Sequence, residues 1–131
     1  MPDTNSLTLS QRRQLLVEAL ESGLYTQAQR HLRDTSGYCC LGVACEVYQK
    51  WVGDLDASKR ESPVSGTVYF YSGCFEYLPA QVMKWYGFTT GYGNYGGDNS
   101  LARDNDKGQT FTEIAATIRS NPEGLFKENE E

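Results

Sequence analysis

Apolar residues recur at helical spacing in four stretches of this chain. Leu15, Leu16, Ala19 and Leu20 share one face of a helix predicted from about Leu9 to Ser22. Thr8-Leu9-Ser10-Gln11 fits a capping box at its start, and Gly23 supplies a left-handed stop. A second helix is predicted from Cys40 to Trp51, with Cys40, Val43, Ala44, Val47 and Trp51 inward and Glu46, Gln49 and Lys50 outward. Gly42 inside it costs about 1 kcal/mol relative to alanine, which implies that another segment packs closely there. Pro79 opens a third helix carrying Val82, Trp85 and Tyr86 and stopping at Gly87. Thr110-Phe111-Thr112-Glu113 is a second capping box, followed by the inward stripe Ile114, Ala115 and Ile118 and ended by Asn121-Pro122.

Between these helices the pattern changes. Thr67–Tyr71 and Cys74–Leu78 are rich in β-formers and are separated only by Ser72-Gly73, a hairpin signal. Leu24–Arg33 is polar with weak periodicity and reads as a short helix or an edge strand, the strand being favoured. Asp34-Thr35-Ser36-Gly37 is a turn. Gly53–Ser65 is charged and contains serine and proline, so a mobile loop is expected. Phe88–Ser100 is a Gly/Tyr/Asn loop. The fold class expected is α+β: a small single domain of three to four helices packed with a β-hairpin or small antiparallel sheet. Residues 1–9 read as a flexible N-terminus, 10–122 as the domain and 123–131 as an acidic tail.

The length of 131 residues suits one domain, and the 39% hydrophobic and 22% charged fractions are globular values. No apolar run reaches the length of a membrane helix, so no membrane partner is expected and the protein reads as cytoplasmic. The net charge of -5 argues against duplex nucleic acid, whose binding selects a basic face. Arg12, Arg13, Arg30 and Arg33 leave room for a local basic patch and small phosphorylated ligands. Cys39, Cys40, Cys45 and Cys74 are expected as free thiols, three of them within an apolar run.

Catalytic templates fail one by one. The sole histidine, His31, excludes a two-His metal site, and the cysteine spacing does not fit zinc. Asp104-Asn105-Asp106-Lys107-Gly108 resembles a calcium loop, but with Gly108 sixth the first and twelfth positions are Arg103 and Ile114, which are not oxygen ligands. Asn105–Gly108 then reads as a tight turn between helices, or as a ligand contact through Asn105 or Asp106. No phosphate-cradling fingerprint occurs. Cys39 or Cys40 at a helix start, with His31 as base, remains open as a thiol nucleophile, against the plainer reading that both thiols fill the core. No cofactor is expected.

The stretch Gly91-Tyr92-Gly93-Asn94-Tyr95-Gly96-Gly97 alternates rigid aromatics with small polar residues, the mixture that serves adaptable binding loops. The alternative is a flexible surface loop with its tyrosines tucked onto the domain. In the binding reading, Tyr92, Tyr95 and Phe88 stack on a nucleobase. Asn94, Asn105 and Asp106 read polar edges or ribose hydroxyls, and Arg103 or Lys84 meets phosphate. A homo-oligomer with the site at a subunit interface fits the same reading.

The segments Leu20–Gln27, Tyr38-Cys39-Cys40-Leu41-Gly42-Val43-Ala44-Cys45, Tyr77–Phe88 and Leu101–Ala115 together resemble a family of small bacteriophage and bacterial proteins. The resemblance spans roughly Ser10 to Ile118, and the Cys-Cys-Leu-Gly run is its most specific part. It implies a phage-type accessory protein and no particular reaction, so no catalytic residue is carried over. Proteins of that kind inhibit host proteins or sequester nucleotide signals of host immunity. The expected function is therefore a ligand-sequestering protein, with a protein–protein inhibitor of a host enzyme and a thiol enzyme as alternatives.

Overall fold

Two reciprocal hydrogen bonds start the first helix. Thr8 Oγ1 accepts from the Gln11 N–H at 3.1 Å and Gln11 Oε1 accepts from the Thr8 N–H at 2.8 Å, so α1 runs Leu9–Glu21. The computed structural model describes residues 7–64 and 66–127, the Ser62 side chain excepted. After α1 come β1 (Arg33–Asp34), β2 (Gly37–Tyr38), α2 (Cys40–Trp51), β3 (Ala57–Ser62), β4 (Gly66–Tyr71) and α3 (Ala80–Tyr86). The chain continues with β5 (Asn94–Tyr95), β6 (Asn99–Ser100), α4 (Leu101–Asp106) and α5 (Phe111–Arg119). The result is a small α+β domain: a four-stranded antiparallel sheet ordered β2-β1-β4-β3, a two-stranded β5-β6 ribbon, and five helices. None of the helices among the described residues is long and apolar enough to cross a membrane.

Helix α2 is the centre of the core. Cys40 through Cys45, Val47 and Tyr48 are all buried, so the helix is enclosed on nearly every side, as its apolar sequence requires. Leu16, Val17 and Leu20 of α1, Val82 and Tyr86 of α3, and Ile114, Ala115 and Ile118 of α5 complete the core. Gly42 has the close neighbour its sequence context predicts. A Cβ there would lie 1.7 Å from the Leu32 carbonyl oxygen, so the strand-like segment before β1 rests directly on the helix backbone.

Four expectations change. Gly53–Ser65 is not a loop throughout, since β3 pairs with β4 in six-residue register from Ala57↔Tyr71 to Ser62↔Gly66; Ser65 lies outside the described residues. Strand β3 is an edge strand exposed on both faces, so its sequence, Ala-Ser-Lys-Arg-Glu-Ser, carries no apolar alternation. The Ser72-Gly73 turn forms with both residues at positive φ, but the predicted partner Cys74–Leu78 pairs only through Tyr71↔Cys74. Ladder growth stops because the Phe75 carbonyl accepts from the Leu32 N–H instead.

Leu24–Arg33 is neither helix nor continuous strand. It makes one bridge, Gln27↔Tyr38, before β1. Finally, the domain is longer than residues 10–122. Leu9 is already buried, and Leu125 and Phe126 pack into the core, with Phe126 bridged to Phe88. Of the expected flexible N-terminus and acidic tail, residues 1–6 and 128–131 lie outside the described residues.

Candidate functional site

The loop from Gln27 to His31 has little regular hydrogen bonding of its own, and α4 supplies much of its support. Asn105 is fully buried; its Oδ1 accepts from Gln27 Nε2 at 2.9 Å and from the Cys40 N–H at 3.1 Å, while its Nδ2 donates to the Ala28 carbonyl at 2.8 Å. Gln27 Nε2 also donates to the Gln109 carbonyl at 2.7 Å. One residue on, Asp106 Oδ1 accepts from the Arg30 N–H at 2.8 Å. Arg30 sits at φ +76°, a left-handed conformation that costs a non-glycine residue about 1 kcal/mol or more and persists only when its surroundings impose it. Here the imposing group is Asp106.

Beside this strained residue lies a cleft of about 260 Å³ walled by Arg30, His31, Cys39, Glu76, Tyr92 and Asp106. Tyr92 is 45% exposed, and Tyr77 supports its ring at 5.5 Å between centroids. Arg30 and His31 also line a more open depression of about 650 Å³ that reaches Gln29, Asp34 and Ser36. His31 is fixed by its neighbours. Its Nδ1 lies 3.1 Å from Asp34 Oδ2, and its ring stacks on Phe75 at 6.0 Å. With Nδ1–H donating to that carboxylate, Nε2 is the acceptor of the neutral ring.

The thiols have a different chemistry from the one a nucleophile needs. All four cysteines are free. Burial pushes the Cys39 thiol up to about 12, only partly offset by the Gly42 and Leu41 N–H groups at the start of α2. Burial also holds Cys40 well above the ordinary thiol range, and its S–H donates to the Leu101 carbonyl at 3.5 Å. Both are protonated at neutral pH, and both pack in the core.

The residues expected to contact ligand do not gather in one place. Tyr92 and Asp106 share the cleft. Asn105 stands behind it as a buried brace. Phe88 does not offer a stacking face: it is 1% exposed, between Tyr86 and Phe126, because the C-terminal segment closes over it. Tyr95 is half-buried, its hydroxyl donating to Asp104; burial and that bond raise it to about 12. Asn94 closes a turn, accepting from the Thr90 hydroxyl and donating its N–H back to Thr90 Oγ1. Arg103 is exposed and donates to the Asp98 carbonyl at 3.3 Å. Lys84 lines a separate cavity beside Trp85. Arg30 was named from sequence only as one of four arginines of a local basic patch, and its left-handed backbone has no sequence signature; Glu76 was not singled out, because it lay within the expected strand.

A search of the curated proteins and a search of the solved structures each found no match. A family model does match, over residues 9–122, and its description is Domain of unknown function (DUF8296). That match covers α1 through α5 and every residue of the cleft, so the chain belongs to the DUF8296 family.

Proposed function

We propose that the protein binds and holds a small nucleotide-type ligand in the cleft beneath Tyr92, without a covalent step. One observation carries the reading: an exposed, ring-supported tyrosine lines a cleft whose arginine is kept in a strained conformation by a neighbouring carboxylate. Strain of that kind concentrates where a side chain must be presented. Tyr92 stacks on the base, Arg30 meets phosphate, and Glu76 with the second oxygen of Asp106 accepts from ribose hydroxyls or ring amino groups. Ligand pockets run from about 300 to 1,000 Å³. The cleft of about 260 Å³ falls just below that range and takes one nucleoside in part, and the adjoining depression of about 650 Å³ takes the remainder of the ligand. The sequence resemblance to small phage proteins supports a setting in the cytoplasm of an infected bacterium, where such a protein sequesters a nucleotide immune signal.

Calorimetry against a panel of adenine-containing signalling nucleotides tests this. Heat should appear for at least one, the ligand should be recovered unchanged, and Tyr92→Ala should weaken binding about tenfold or more, the loss of one stacked base. Silence across the panel would remove the reading. A second reading rests on Tyr77 and Tyr92, 44% and 45% exposed and in mutual contact, an aromatic pair suited to anchor a host protein. A stoichiometric host protein retained from bacterial lysate, and lost with Tyr77→Ala, would favour it.

A further inference from the structure

At the other end of α2 from the Tyr92 cleft lies a larger cavity of about 590 Å³. Leu9 and Arg12 of α1, Tyr48 of α2, Gln81, Met83, Lys84 and Trp85 of α3, and Lys127 of the C-terminal segment form its wall. Among the described residues, the charged side chains that line it are three cations, Arg12, Lys84 and Lys127, and no carboxylate. Asp54 bonds the Tyr48 hydroxyl and does not itself line the cavity. For a chain of net charge -5, three cations around one concavity are a local reversal of sign, and a half-enclosed wall focuses the field they make.

Hydrogen bonds within the fold hold two of these residues in place. Arg12 Nη1 donates to the Trp85 carbonyl at 3.0 Å, and its guanidinium lies 5.1 Å from the Trp85 ring centroid, so it is oriented before any ligand arrives. Lys127 is brought in by the bond from its N–H to the Gly87 carbonyl at 2.8 Å, next to the Phe88–Phe126 bridge. Lys84 stands in the last turn of α3, exposed, with its neighbour Met83 half-buried on the apolar side. Glu128, Glu130 and Glu131 follow Lys127 in sequence and lie outside the described residues.

We propose that this cavity is a second binding site, for a small phosphorylated molecule that carries an apolar or aromatic group. The phosphate takes charge-assisted bonds from Arg12, Lys84 and Lys127, and the apolar part lies against Leu9 and Met83. The site is independent of the Tyr92 cleft and stands whether or not a nucleotide binds there.

Amide NMR of the full chain, titrated separately with phenyl phosphate, inorganic phosphate and benzyl alcohol, tests it. Phenyl phosphate should shift the amides of Arg12, Lys84, Gly87 and Lys127 and bind more tightly than either partial probe, with affinity falling as salt rises. Lys84→Glu and Lys127→Glu, both at exposed positions, should each weaken binding about tenfold or more, the loss of one charged contact. Their amide spectra report directly that the fold is kept. Tyr92→Ala should leave this binding unchanged, which separates failure here from failure at the cleft. The proposal is overturned if the shifts fall elsewhere, scatter over surface lysines, or persist undiminished in both glutamate variants.

Discussion

Asn105 caps the helix that carries Cys40: its side-chain oxygen accepts the Cys40 N–H at 3.1 Å from inside the core. The Cys39 side chain at the N-cap position forms no capping bond, so α2 takes its cap from a residue on α4. The same amide bonds Gln27 and Ala28, which makes Asn105 the joint between α2, α4 and the loop that presents Arg30. Asn105→Ala would orphan a buried N–H and a buried carbonyl at once. At about 1–3 kcal/mol for each unsatisfied group, a loss of about 3 kcal/mol in unfolding free energy is expected from urea denaturation. A loss below about 1 kcal/mol would show that water or a rearranged loop replaces it.

Gly42→Ala should destabilise, against helix propensity. In an open helix the change gains about 1 kcal/mol. Here the new methyl would sit 1.7 Å from the Leu32 carbonyl oxygen, and backbone must move to admit it. Thermal unfolding is expected to show a marked drop in Tm, and the chain before β1 should lose amide protection first, because Leu32 is pushed off α2.

Legibility followed local chemistry. The capping boxes at Thr8–Gln11 and Thr110–Glu113 and the bounds of α2 are written in adjacent residues and appear as expected. Strand β3 was illegible because both of its faces meet water, which removes the alternation that identifies a strand. Helix α4 spans only six residues, too few for a period to repeat. In the candidate site, Tyr92 and Asp106 could be picked out by residue type. Arg30 could be named only as one of four arginines of a basic patch; its strained backbone was illegible, since it follows from a hydrogen bond to a residue far along the chain. Phe88 misled for the converse reason: Leu125 and Phe126 lie in a segment read as tail, so nothing suggested that its ring would be covered.

Arg30→Gly should separate stability from function. Glycine adopts φ +76° without the steric cost an arginine carries there, and the N–H that Asp106 accepts is retained. Offset by the extra freedom of glycine in the unfolded chain, the net change expected is between zero and about 1 kcal/mol in favour of folding. Nucleotide binding in the Tyr92 cleft should nonetheless fall about tenfold or more through loss of the guanidinium. A variant that is destabilised by more than about 1 kcal/mol would mean that the arginine side chain braces the loop.

Thiol reactivity should divide the cysteines by burial. Cys74 is half-exposed, whereas Cys39, Cys40 and Cys45 are buried, so iodoacetamide at neutral pH should modify Cys74 alone until the chain unfolds. The pH dependence follows from Cys39. Burial raises it to about 12 from the ordinary thiol value of 9.0, so the folded chain holds this proton more tightly than the unfolded chain does. The resulting stability is complete below about 9 and drains away as pH rises from there toward 12. Cys40 and Cys45 are shifted in the same direction by burial and steepen the loss. Urea midpoints taken from pH 7 to 11 should be flat at first and then fall, with Cys39→Ala reducing the slope. Rapid labelling of Cys39 at pH 7, or a midpoint that rises through pH 9–11, would mean instead that the thiol is ionised in the folded protein and open to the cleft it lines.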